Sequence, residues 1–155
     1  MSHDAPTPVF EDEYDASHPE ALALYCSDGR FTRGVERLMQ HLGHDRLDTL
    51  TMPGGPALLE TKSAALVEVG AVRSALSFLV DGHHIKELLL VAHAGCGYYR
   101  RRYPIHEPAQ IHAQQLADLR AAAAWARRAL TVASIDLFYA TTEHGRVAFH
   151  AVPAD

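Results

Sequence analysis

Nothing in this chain of 155 residues approaches the roughly 20 consecutive apolar residues that a bilayer-crossing helix needs, so no membrane partner is expected. It also lacks a basic excess. With 14 Lys and Arg against 19 Asp and Glu, the formal net charge is -5, the wrong sign for a general nucleic-acid binder. The start, Met1-Ser-His-Asp-Ala-Pro-Thr-Pro8, has no basic stretch followed by an apolar one, so no secretory signal is read and a cytoplasmic location is expected. Cysteine is scarce: Cys26 and Cys96 are the only two. In a reducing compartment they read as thiols available for metal or chemistry, and they do not form the Cys-x-x-Cys pair of a redox motif.

What is present is an ordinary globular composition, 48% hydrophobic and 21% charged, in a length that fits one domain with one core. Residues 1–19, rich in Pro, Asp, Glu and Ser, read as a polar arm, and residues 20–155 as the folded domain. The run Glu20 to Tyr25 reads as a buried strand ending in Cys26-Ser-Asp-Gly-Arg30. Phe31, Val35, Leu38, Met39 and Leu42 recur at helical spacing before a stop at Gly43. A second strand fits Leu47 to Met52, followed by a loop, Pro53-Gly-Gly-Pro56.

Ala65, Val69, Val72, Leu76, Leu79 and Val80 mark one helix face, which Asp81-Gly82 is expected to end. Leu88 to Ala92 is continuously apolar, as a strand covered on both faces is, and it delivers His93 at its carboxyl end. A long helix is expected from about Pro108 to Leu130. Ile135 to Thr141 and Arg146 to Val152 read as a hairpin around Glu143-His-Gly145. Strands separated by helices predict an α/β fold: one central, mostly parallel sheet flanked by helices, with a C-terminal antiparallel edge strand.

In an open parallel sheet, ligands bind at the carboxyl ends of strands where the strand order reverses. With the first strand central and the second and third on either side of it, that crevice gathers Cys26, His93 and Cys96. Two sulfurs and one nitrogen suit zinc, and three protein ligands leave a fourth tetrahedral position for water or substrate. A closed structural site would want a fourth Cys or His, and no third cysteine exists. Asp28, two residues beyond Cys26, is placed either to accept a hydrogen bond from zinc-bound hydroxide, with Arg30 gripping the carboxylate, or to swing onto the metal and close the site. The plainer alternatives are two buried core thiols or a disulfide between them, and a turn carboxylate beside a surface cation.

Cys26-x-Asp28-x-Arg30 at a first strand end, followed by His93-x-x-Cys96-Gly97 at a third, resembles the β-class carbonic anhydrases, in a compact and divergent form. The likeness spans about Ala21 to Val152. It implies zinc, one per chain, on Cys26, His93 and Cys96, a dyad of Asp28 and Arg30, and hydration of carbon dioxide to bicarbonate by zinc-bound hydroxide. It also implies a homodimer. Where the family typically carries Arg-Asn-Ala-Gly-Asn after its second strand, this chain has Met52-Pro-Gly-Gly-Pro56, in which Gly54 and Gly55 keep backbone access for substrate.

Two other functions are compatible with the same ligands: hydrolysis of carbonyl sulfide or carbon disulfide, and a non-catalytic zinc-binding module. His83, His84, His106 and His112 are candidate proton shuttles whose plainer reading is solvated surface. Arg100-Arg-Arg102 is a candidate anion patch or a solvated interface.

Overall fold

A computed structural model describes residues 6–155 of the chain, so the first five residues of the polar arm lie outside the described residues. Among the described residues five strands and three long helices follow the expected order, with one short helix added: β1 (Ala21–Cys26), α1 (Gly29–His41), β2 (Asp48–Met52), α2 (Leu66–His83), β3 (Glu87–His93), α3 (Gly97–Arg102), α4 (Pro108–Ala129), β4 (Ser134–Glu143) and β5 (Arg146–Ala151). A short 3-10 helix, Gly55–Leu59, lies between β2 and α2. The sheet order is β2-β1-β3-β4-β5, parallel except for the β4–β5 pair.

Alternation along the buried strands sorts the core to two faces. Leu22 and Leu24 of β1, with Leu88 and Leu90 of β3, meet Val69, Val72 and Leu76 of α2 and Leu119, Ala122, Ala123 and Ala126 of α4. The opposite face carries Ala21, Ala23, Tyr25, Leu89 and Val91 beneath Val35 and Met39 of α1. The small residues of α4 let its backbone come close to the sheet, and Ala122, Ala123 and Ala126 are fully buried there. Phe149 of β5 also reaches the α1 face; a Cβ on Gly34 would stand 3.2 Å from its ring, so only glycine leaves the ring its place.

Three local features differ from the sequence expectations. α2 does not stop at Asp81-Gly82 but runs to His83, and the stop is His84 in the left-handed region at φ 58°, with Ile85 N–H donating to Val80 O at 3.1 Å. Gly82 is tolerated inside the last turn because no left-handed residue is needed there. The Pro53–Pro56 loop continues directly into the 3-10 helix, since Pro56 fixes φ at a first-turn position where no N–H is required. Residues Gly97 to Arg102 form the short helix α3, too brief for any apolar periodicity to announce it.

The arm has no helix or strand among its described residues. It is tied down near its end. Arg46 donates to Ser17 O at 3.0 Å and pairs with Asp15 at 3.0 Å, and the His18 ring stacks on His83 with centroids 4.1 Å apart.

Candidate metal centre

β1 and β3 are hydrogen-bonded neighbours, with β2 on the far side of β1, so the strand order reverses between them. Their carboxyl ends deliver Cys26 and His93 side by side, and the turn after β3 returns Cys96 to the same point. One ligand atom from each residue lies within 4.8 Å of the others, and all three side chains are buried. The sulfurs are 3.9 Å apart.

Hydrogen bonding aims His93. Its Nδ1 donates to Ala94 O at 2.8 Å, which fixes the tautomer and leaves Nε2 as the acceptor. That Nε2 is buried with no hydrogen-bond partner. The ring is held by Phe31, 4.2 Å away between centroids. Behind it, Gln115 of α4 donates to His93 O at 2.8 Å and accepts from Tyr139 OH at 3.1 Å.

The two buried thiols lie in direct contact, so ionising one disfavours ionising the other. The contact with Cys96, and after it the Gly54 and Asp28 N–H groups, pull the Cys26 thiol down against its burial. The Cys26 thiolate and then burial push Cys96 up. A dication would relieve this, taking both sulfurs as thiolates and satisfying the orphaned imidazole nitrogen. The residues present therefore fit a thiophilic divalent ion.

Asp28 caps α1, accepting from Arg30 N–H at 3.1 Å, and its carboxylate lies in the guanidinium fork, with Arg30 Nε 2.9 Å from Oδ1. That grip outweighs a small desolvation effect and holds the carboxyl at about 2. Arg30 itself is exposed.

Gly54 and Gly55 pack against the site from the other side. Gly54 N–H points to Cys26 Sγ at 3.5 Å. A Cβ on Gly54 would lie 2.6 Å from the Tyr98 ring, and one on Gly55 2.7 Å from Cys26 N.

Sequence reasoning missed the polar layer under Cys96. Asp118, buried in α4, accepts from Ser63 Oγ at 2.5 Å and Tyr99 OH at 2.6 Å, while Tyr98 OH donates to Ser63 O at 2.7 Å. Burial, then Asp118, pushes the Tyr99 phenol up, so it stays a donor. The network clamps α3, which follows Cys96, to α4 and to the segment before α2. Only the pair Tyr98-Tyr99 directly after Cys96-Gly97 hinted at it.

A mostly parallel α/β sheet with thiol and imidazole donors gathered at its switch point is the architecture of a metal-binding α/β protein. Residues 16–145 match the family described as "Putative carbonic anhydrase", and the chain belongs to that family. Its fold is similar to the β-carbonic anhydrase CafA of Aspergillus fumigatus, with a TM-score of 0.54 at 16% identity over 90% of this chain and 77% of that one. It is also similar to β-carbonic anhydrase isoform I of Trichomonas vaginalis, with a TM-score of 0.53 at 12% identity over 90% of this chain and 86% of that one. An uncharacterized protein of Rickettsia bellii (strain RML369-C) is 29% identical over 82 residues, 52% of this chain and 49% of that protein, so the match spans about half of each. Among the described residues no helix is long and apolar enough to cross a membrane.

Proposed function

We propose that this chain catalyses the reversible hydration of carbon dioxide to bicarbonate with one zinc ion per chain. The observation that carries the reading is the convergence of two buried thiols and an unpartnered imidazole nitrogen beside a carboxylate held ionised by an arginine. Cys26 Sγ, Cys96 Sγ and His93 Nε2 would hold the ion. Bound zinc supplies Lewis acidity, which makes water nucleophilic near neutral pH.

The chain's own residues then do two things. Asp28 accepts a hydrogen bond from the attacking water and so turns the oxygen lone pair toward the carbon of the substrate, while Arg30 keeps that acceptor ionised and oriented. The reaction releases one proton for each bicarbonate. A carboxyl held at about 2 does not retain it at neutral pH, so the proton passes on to solvent or buffer rather than resting on Asp28. Gly54 and Gly55 are proposed to meet the substrate through backbone only, with the Gly54 N–H already turned to Cys26 Sγ.

A homodimer acting in the cytoplasm on carbon dioxide and bicarbonate completes the proposal. Its test is zinc stoichiometry together with stopped-flow carbon dioxide hydration across pH. Fully loaded protein with no rate above buffer sinks it.

A second reading, a non-catalytic zinc-binding module, is favoured by one observation: the loop facing Cys26 is filled by the Tyr98 ring and carries no polar side chain from Pro53 to Pro56. One zinc per chain with no hydration, and no hydrolysis of carbonyl sulfide or carbon disulfide, is its signature.

A further inference from the structure

Away from the cysteines, α4 and the β4–β5 hairpin border a second cleft of about 380 Å³. Periodicity explains its walls. His112, Leu116 and Arg120 recur every four residues and form one stripe of α4. Tyr139 and Thr141, two apart on β4, share one sheet face, and His150 of β5 is paired directly opposite Tyr139. α4 packs against β3 and β4, and the strip of sheet toward β5 is left to line the cleft with that stripe. The chain leaving β5 closes one end: Val152 N–H donates to Leu137 O at 2.8 Å and Arg120 Nε to Pro153 O at 3.1 Å.

The chemistry of the lining is one-sided. Its ionisable side chains are Arg120, His112, His150 and the Tyr139 phenol, and none of the lining residues is a carboxylate. Arg120 uses Nε on Pro153 and keeps its terminal nitrogens free to donate. The Tyr139 hydroxyl is turned away to Gln115, so its ring presents only an aromatic surface, with His112 edge-on at 4.5 Å between centroids. His150 Nε2 lies 2.8 Å from Thr141 Oγ1, which leaves its Nδ1 unengaged by that bond. Leu116 and Val152 supply hydrocarbon walls. The size is that of a small-molecule site, and the pattern of an apolar slot with a guanidinium and two imidazoles at its rim selects an anion carrying an apolar body.

We propose that this cleft binds a small organic carboxylate, with the carboxylate at Arg120 and the two imidazoles and the hydrocarbon part against Leu116, Val152 and the Tyr139 ring. The site is separate from the metal cluster and does not rest on the reaction proposed above.

The probe is benzoate, titrated into the full chain and followed by NMR at the side chains of Tyr139, His112 and His150. The expected result is saturable shifts at these residues with a dissociation constant of about 1 mM or tighter. Benzyl alcohol, of the same shape without the charge, binds at least ~10-fold more weakly. Leu116→Trp, which fills the slot, abolishes the shifts; Arg120→Met, which keeps the aliphatic stem, weakens benzoate at least ~10-fold and leaves benzyl alcohol unchanged. The proposal is overturned if no saturable shift occurs below roughly 20 mM benzoate. It is equally overturned if benzyl alcohol binds as tightly, if Arg120→Met binds benzoate as the unmodified chain does, or if the shifts fall at Cys26, His93 and Cys96 instead.

Discussion

Arg30 holds Asp28 from two residues away through both its side chain and its backbone: Nε stands 2.9 Å from Oδ1 and 3.0 Å from Oδ2, while the amide donates to Oδ1 at 3.1 Å. One residue at the first turn of α1 therefore fixes the position and the charge of the carboxylate nearest the cluster in sequence.

Replacing Arg30 by Ala should release that carboxyl from about 2 toward the ordinary range near ~3.9. The depressed value contributes stability above the unfolded-state pKa, and that contribution is lost as pH falls through the folded-state value. In Arg30→Ala the folded- and unfolded-state values nearly coincide, so that contribution is absent at every pH. Carboxyl-carbon NMR titration of Asp28 in the two proteins reads the shift, and an unchanged midpoint contradicts it.

Asp28→Asn keeps the size of the side chain and removes its charge. Zinc content should be unchanged while carbon dioxide hydration falls about 100-fold, the scale of losing a positioned proton acceptor. Stopped-flow rates on protein of measured metal content give the answer; a parallel loss of zinc would make Asp28 a ligand instead.

Cys26→Ser or Cys96→Ser leaves one thiol and one imidazole. Zinc affinity should drop by more than ~100-fold, beyond what loss of an outer hydrogen-bond partner costs. Competition with a chromophoric chelator measures it.

Gln115→Leu removes the donor to His93 O and the acceptor for Tyr139 OH at once. Both groups are buried, so unfolding free energy should fall by about 1–3 kcal/mol. The outcome specific to positioning is a zinc affinity about 10-fold lower with one zinc still bound. Denaturant melts of metal-free protein and chelator competition separate the two effects.

Gly55→Ala places a methyl group 2.7 Å from Cys26 N and at φ 51°. The neighbouring atoms are strand backbone and cannot yield, so a loss of about 2–3 kcal/mol is expected from denaturant melts. Gly54→Ala, at φ 87°, meets the Tyr98 ring, which is held through its hydroxyl by Ser63 O, and should cost a similar amount.

Legibility followed the length of each pattern. The five strands and three long helices were readable because continuous apolar runs such as Leu88 to Ala92, and stripes such as Val69, Val72, Leu76 and Val80, repeat over many residues. The strand order placing Cys26 beside His93 was assumed with the first strand central, and the structure has that order. The end of α2 was misread because Asp81-Gly82 is a strong turn signal, while the residue that adopts the left-handed conformation is His84. The Asp118, Ser63 and Tyr99 layer was invisible because its members lie on three separate segments and share no periodicity. The positions Gly54 and Gly55 were evident, but not that each Cβ direction is filled by a neighbour.

Phe149 seated over Gly34 ties the order of synthesis to the order of assembly. The α1 side of the sheet, with Val35 and Met39, has a partner ring that leaves the ribosome more than a hundred residues after the helix it covers. Contacts this distant in sequence make the closing step slow. Until residue 149 is available, the helix beginning at Gly29 lacks part of its cover, and a nascent chain stopped short of β5 should expose that face to chaperones.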